Sequence, residues 1–135
     1  MYQVAVYGTL KRGYGNHVAI SHNDGQHLID TVTAEPYLML DGGFPMVVRD
    51  SHSHPEAAQI RVQVYNVNET AKEWMDRIEG HPNFYERLPT PVLGLDEPVW
   101  MYFVPAEYIN SNRNALADGL WDPSRIEEAI RDPDA

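Results

Sequence analysis

There is no cysteine in this 135-residue chain. That excludes a disulfide scaffold, a cysteine nucleophile and a thiolate metal site. It fits a reducing compartment, and the expected location is the cytoplasm. Basic residues are also few: 10 Lys and Arg stand against 20 Asp and Glu, for a formal net charge of −10. They are scattered, whereas a nucleic-acid binder carries a basic face, so no nucleic-acid partner is expected. No apolar run approaches the length of a membrane helix, and no membrane association is expected. The opening residues, MYQVAVYG, read as a strand rather than a signal peptide, because they have neither a basic leader nor a long apolar segment. There is no internal repeat and no linker-like stretch. With 43% hydrophobic residues, the chain is expected to form one domain over residues 1–135, with a core that needs no metal or disulfide.

What the chain does have is a dense glycine cluster directly after its first apolar run. YGTLKRGYGN, Tyr7 to Asn16, carries Gly8, Gly13 and Gly15 with Lys11 and Arg12 between them. Loops of this kind bring bare backbone N–H groups close to an anion. A phosphate-binding P-loop would need Gly-Lys-Ser/Thr after four residues, but Tyr14 stands where the lysine should be. The dinucleotide fingerprint fails as well, since no helical pattern follows Gly13 and no βαβ unit is visible. A carboxylate, a smaller anion, remains a candidate. The glycines alone are equally consistent with a plain turn.

Tyr2 to Tyr7 reads as a strand, and His27 to Leu40 as one strand or two, interrupted at Pro36. Asp41-Gly42-Gly43-Phe44-Pro45 is a turn, Met46 to Arg49 resumes a strand, and DSHSHPEA is a polar loop. Gln59 to Val67 alternates, with Ile60, Val62 and Val64 on one side and Gln59, Arg61 and Gln63 on the other. Glu69 to Glu79 is the clearest helix. Ala71, Trp74, Met75 and Ile78 form its apolar stripe, Thr70 and Glu73 have capping-box spacing, and Gly80 with Pro82 marks the stop. Phe84 to Leu93 is extended, but Pro89 and Pro91 confine it to an edge. Pro98 to Val104 is a buried strand. Ser124 to Arg131 is expected to form a short helix, with a loose end at 132–135. The fold class is α+β, with a small curled or barrel-like sheet.

Glu79 borders the buried stripe at the last turn of its helix. Burial and the helix dipole both push its carboxyl towards neutrality, which suits a proton shuttle. By itself it is also consistent with a helix-end glutamate turned into water. The spacing turns Asp76 away from the stripe. Tyr85 and Arg87 alternate just beyond, so one or both can reach a pocket. His22, His27, His52 and His54 read as solvated loop histidines, and no metal site is expected. His17 and His81 lie near the two segments of interest as supporting groups. Trp100, Tyr102 and Phe103 read as core.

Taken together, VAVYGTLKRGYGNH, GGFP, MDRIEGHPNFYER and VWMYFV resemble the γ-glutamylcyclotransferase-like superfamily, and most closely its γ-glutamylamine cyclotransferase and AIG2-like branch. The likeness spans about residues 2 to 105. It implies a small mixed β-barrel with flanking helices and a cavity at one end. It implies cyclisation of a γ-glutamyl amine or amide to 5-oxoproline with release of the amine, and no cofactor. Carried over by position, Glu79 would be the catalytic acid/base, and Tyr7, Gly8, Thr9 and Leu10 the substrate loop; Tyr85 joins them as a candidate binding or oxyanion-donor residue. The alternatives are a non-catalytic small-acid binding module on the same fold, and a phosphate binder that uses Lys11 and Arg12.

Overall fold

In the computed structural model, residues 1–111, 113–116 and 118–121 are described. The helix expected over Ser124–Arg131 and the loose end at 132–135 lie outside them. The order of elements is β1 (Tyr2–Val6), a 3-10 turn (Gly15–His17), α1 (Val18–Ser21), β2 (Gln26–Tyr37), β3 (Met39–Asp41), β4 (Pro45–Val47), β5 (Ala58–Val67), α2 (Glu69–Glu79), β6 (Glu86–Thr90), β7 (Val99–Phe103), a second 3-10 turn (Ala106–Asn110) and β8 (Asn114–Ala115). Among the described residues, no helix is long and apolar enough to cross a membrane.

Five strands form one mixed sheet in the order β2-β5-β1-β7-β6. β1 pairs antiparallel with β5 and parallel with β7, so the two most apolar segments sit side by side in the middle. β6 takes the edge, where Pro89 and Pro91 cost least because an edge strand leaves one row of N–H groups unused. The sheet curls but stays open, which corrects the expectation of a barrel. Its two edges meet at a single bridge between Thr33 and Val92, flanked by Ala34 N–H to Pro91 O (2.9 Å) and Leu93 N–H to Val32 O (3.0 Å). A second sheet, β4-β3-β8, lies beside it, and Gly43 turns its hairpin at φ 87°.

Period-two alternation divides the core between the two faces of the main sheet. Ala5, Ile60, Val62, Val64, Met101 and Phe103 pack on one side. Val4, Val6, Tyr65 and Val67 pack on the other, under Ala71 and Met75 of α2 and Ala19 and Ile20 of α1. α1 spans four residues, too short to leave a periodic signature, and it follows the glycine loop where no helix was expected. α2 keeps its expected bounds, but its cap differs. Asn68 (φ −85°, ψ 176°) takes the N-cap, and its side chain accepts from Ala71 N–H at 2.8 Å, so the Thr70/Glu73 spacing is not used as a capping box. At the other end Gly80 adopts φ 68°, ψ 35°, the left-handed stop for which glycine is favoured. That stop fixes where Glu79 leaves the helix.

Candidate active site

The loop after β1, the end of α2, the Gly42–Pro45 turn and the segment before β6 enclose a cavity of about 340 Å³. This lies at the lower end of the roughly 300–1,000 Å³ typical of small-molecule sites. Tyr7, Gly8, Thr9, Leu10, Glu79 and Tyr85 all line it. Residues separated by up to 78 positions in the chain are thus brought to one cavity. Lys11 and Arg12 do not line it. Lys11 is buried, and its Nζ donates to Trp121 O at 2.7 Å; Arg12 N–H donates to Gln63 Oε1 at 2.9 Å.

The loop is held open from behind. Lys11 N–H returns to Gly8 O (2.9 Å), and a ring nitrogen of His17 bonds Leu10 O (2.8 Å). Asn16, which also lines the cavity, donates from Nδ2 to Thr9 Oγ1 at 2.8 Å. The N–H groups of Gly8, Thr9 and Leu10 donate to no partner among the described residues. Gly8 is required by close approach: a Cβ there would lie 2.7 Å from Pro45 Cγ. A run of bare N–H groups beside a cavity is an anion-binding surface.

Glu79 supplies the opposite character. Its residue as a whole is half-buried, but its carboxyl end is enclosed, and loss of hydration raises its pKa from the ordinary 4.5 to about 7. No donor among the described residues reaches this carboxyl. Three tyrosines face it, and each donates its proton elsewhere: Tyr7 OH to Tyr102 O (2.6 Å), Tyr85 OH to Pro45 O (2.6 Å) and Tyr102 OH to Asp76 Oδ1 (2.7 Å). Burial, followed by the Tyr85 and Glu79 charges, holds the Tyr7 phenol well above its usual range. The opposite lip is aromatic. Phe44 and Phe84 meet edge-on at 6.1 Å, and Phe84 packs against Tyr85 at 4.8 Å.

Several of these residues escaped the sequence. Tyr102 is core, as it reads in the sequence, but it also lines the cavity and carries a hydrogen-bonded hydroxyl. Asp76, turned from the apolar stripe as the spacing predicts, pairs with Arg87 through Nε at 2.6 Å. Arg87 therefore turns to Asp76, and Tyr85 alone of that alternating pair reaches the cavity. Asn16 sits inside the glycine-rich run, and its place there was the signal available. His81 Nδ1 accepts from Arg87 N–H at 3.2 Å, a supporting role like that of His17. No group of three or more His, Asp or Glu residues could hold a metal ion among the described residues.

Comparison with known proteins places the chain among relatives. A family model described as gamma-glutamyl cyclotransferase, AIG2-like, matches residues 4–123. A Methanocaldococcus jannaschii protein provisionally named a gamma-glutamylcyclotransferase is 32% identical over 108 residues, covering 78% of this chain and 86% of its own. Gamma-glutamylaminecyclotransferase C of Danio rerio is 31% identical over 96 residues, covering 64% of this chain and 59% of its own. A crystal structure of an AIG2-like protein from Mus musculus superposes with a TM-score of 0.73 at 21% identity, covering 90% of this chain and 88% of that one, a likeness of fold.

Proposed function

The chain belongs to the gamma-glutamyl cyclotransferase, AIG2-like family, and from that premise we propose that it is a cytoplasmic enzyme that cyclises a γ-glutamyl amine or amide to 5-oxoproline and releases the amine. The observation that carries this reading is the pairing of opposites in one cavity. Glu79 has a pKa of about 7, and the Gly8–Leu10 N–H groups lie beside it without an acceptor.

In this reading the loop N–H groups bind the substrate α-carboxylate, with Tyr7 and Tyr85 closing the walls around the glutamyl chain. Glu79 accepts a proton from the α-ammonium, and the freed amine attacks the γ-carbonyl carbon. A new C–N bond forms, and the carbonyl π pair moves to oxygen. As that oxyanion collapses, the bond to the leaving nitrogen breaks, and Glu79 returns its proton to that nitrogen; the proton left on the ring nitrogen passes through the same carboxylate to the released amine, which departs as the ammonium and leaves a neutral lactam. Near-neutral basicity suits these transfers. Folding the glutamyl chain inside the cavity makes ring closure an oriented, intramolecular step. The Tyr85 proton is engaged by Pro45 O, so the oxyanion donor is assigned to one of the three loop N–H groups, with the others left to the α-carboxylate. The Phe44/Phe84 lip receives the leaving amine.

The test is 5-oxoproline release from a panel that includes ε-(γ-glutamyl)-lysine, other γ-glutamyl amines and γ-glutamyl amino acids. Turnover of at least one by the wild type, and its loss in Glu79→Gln, is expected. A wild type that binds these compounds but turns over none would instead be a small-acid binding module.

A further inference from the structure

Behind the cavity lies a polar cluster that the proposed reaction does not touch. Asp76 precedes Glu79 by one helical turn on α2. Its carboxylate accepts two bonds from Arg87, Nε to Oδ1 at 2.6 Å and Nη2 to Oδ2 at 3.1 Å, and a third from the Tyr102 hydroxyl at 2.7 Å. The Arg87 and Asp76 side chains are only 12% and 16% exposed, and the guanidinium lies 4.8 Å over the Trp100 ring. His81 N–H closes the group onto Asp76 O at 2.9 Å. The end of α2 is thereby tied to β6 and β7.

Such a cluster can serve the fold alone. What sets it apart is the direction of the phenol protons around Glu79. The titratable groups that face this carboxyl are Tyr7 from the end of β1, Tyr85 from the segment before β6 and Tyr102 from β7. The β4 side contributes Phe44 and Pro45, and the loop after β1 contributes Gly8, Thr9 and Leu10, none of them titratable. On α2 itself the nearest charged neighbours are Asp76 and Arg77, with Arg87 of β6 behind Asp76. Tyr7 and Tyr85 donate to backbone carbonyls that the strands hold in place. Tyr102 donates to a side chain. Tyr102 lines the same cavity as Glu79, yet its proton goes to Asp76, one helical turn before Glu79, and Arg87 holds Asp76 in the place that receives it.

We propose, resting on the cyclotransferase reading of the cavity, that Asp76, clamped by Arg87, is a positioning residue: it draws the Tyr102 proton out of the cavity, so that Glu79 has no donor on its carboxyl and remains a base strong enough to take a proton from the α-ammonium. A phenol turned towards Glu79 would stabilise the carboxylate and weaken it as a base.

The experiment is a carbon-13 NMR titration from pH 4 to 9 of protein labelled at glutamate Cδ, with the Glu79 signal assigned by its loss in Glu79→Gln. In Asp76→Asn the amide oxygen can still serve Arg87, while the amide N–H donates to the Tyr102 oxygen and displaces the phenol proton. The Glu79 midpoint is expected to fall by about one pH unit, the effect of one hydrogen bond to a charged group. Removing the displaced hydroxyl in Asp76→Asn/Tyr102→Phe is expected to restore the wild-type midpoint. An Asp76→Asn midpoint equal to wild type, or a double variant that stays at the lowered value, overturns the proposal; a merely structural cluster would produce one of these two results. If Asp76→Asn does not fold, Arg87→Gln, which releases the clamp on Asp76, decides: a lowered Glu79 midpoint that Arg87→Gln/Tyr102→Phe restores supports the proposal, and an unchanged or unrestored midpoint overturns it. In the active enzyme, the acid limb of kcat is expected to move with the midpoint while KM holds. The titration needs no substrate, so a wild type inactive on every γ-glutamyl compound would sink the cyclotransferase reading and leave the titration result standing.

Discussion

Replacing Glu79 by glutamine gives a stability signature that is independent of catalysis. The amide matches the carboxyl in size but does not ionise. Enclosure raises the Glu79 pKa from 4.5 to about 7, so the folded protein holds this proton more tightly than the unfolded chain. The contribution is fully present below about pH 4.5 and is lost as pH rises through about 7, where the enclosed group must ionise. At about 1.4 kcal/mol per pH unit, the loss is on the order of 3 kcal/mol. Since part of the residue keeps its contact with water, this is an upper bound. Glutamine escapes the loss, and every other titrating group is common to both proteins and cancels in the difference. The melting temperature of Glu79→Gln minus that of wild type is therefore expected to rise between pH 4.5 and 8.5, by on the order of 10 °C at most for a chain of this length. The assay is a pair of thermal melts at half-unit pH steps. Any fixed cost of burying the amide shifts the whole curve and leaves its slope alone. A flat difference across that range would mean that the folded protein ionises Glu79 at the same pH as the unfolded chain, near the ordinary 4.5, and with it the argument for a near-neutral proton shuttle would fall.

Gly8→Val places a Cβ 2.7 Å from Pro45 Cγ; overpacking of this kind is expected to cost about 1–3 kcal/mol. Displacement of the loop N–H groups is expected to raise KM by about tenfold or more, the loss of one charge-assisted hydrogen bond, and a normal KM in a folded variant would remove the loop from substrate binding. Lys11→Ala loses the buried bond to Trp121 O; a lowered melting temperature with KM within about twofold of wild type is expected, and a large selective rise in KM would restore a side-chain anion site. Asn68→Ala loses the α2 cap and is expected to cost about 1 kcal/mol in urea unfolding, whereas Thr70→Ala is expected to cost much less. The reverse order would show that the cap is read from the wrong residue.

The elements that can be read from the sequence are those whose signal is local. β5 announces itself by alternation and α2 by its stripe and by Gly80, and both keep their bounds to within a residue. The glycine density after β1 likewise marks the loop that lines the cavity. The reason for Gly8 was not local: no positive φ is involved, and the constraint is Pro45, 37 positions away. The helix cap was ambiguous because Asn68 and Thr70 both offer a capping oxygen, and only the backbone angles at Asn68 decide between them. Tyr102, Asp76 and Arg87 were unreadable as a group, since their bonds cross 26 and 11 positions and join three elements. The open sheet was illegible for a related reason. Strand patterns give each strand's faces, whereas closure depends on whether the edges of β2 and β6 pair along their lengths.

The parallel pairing of β1 with β7 sets an order of events when the chain is made. β1 can pair with β5 once residues up to 67 have emerged, but its other edge stays bare until residues 99–103 follow. The clamp from the Tyr7 hydroxyl to Tyr102 O spans 95 positions and cannot close earlier. Until then, the loop that begins at Gly8 hangs from a half-finished sheet, and an unpaired apolar strand edge is a site for unwanted association. The cavity is therefore one of the last parts of the molecule to be completed, although it begins with some of the first residues made. Contacts of such long range also make for slow folding. Partial chains that stop before β7 carry Glu79 and the glycine loop and still have no cavity wall to hold them together.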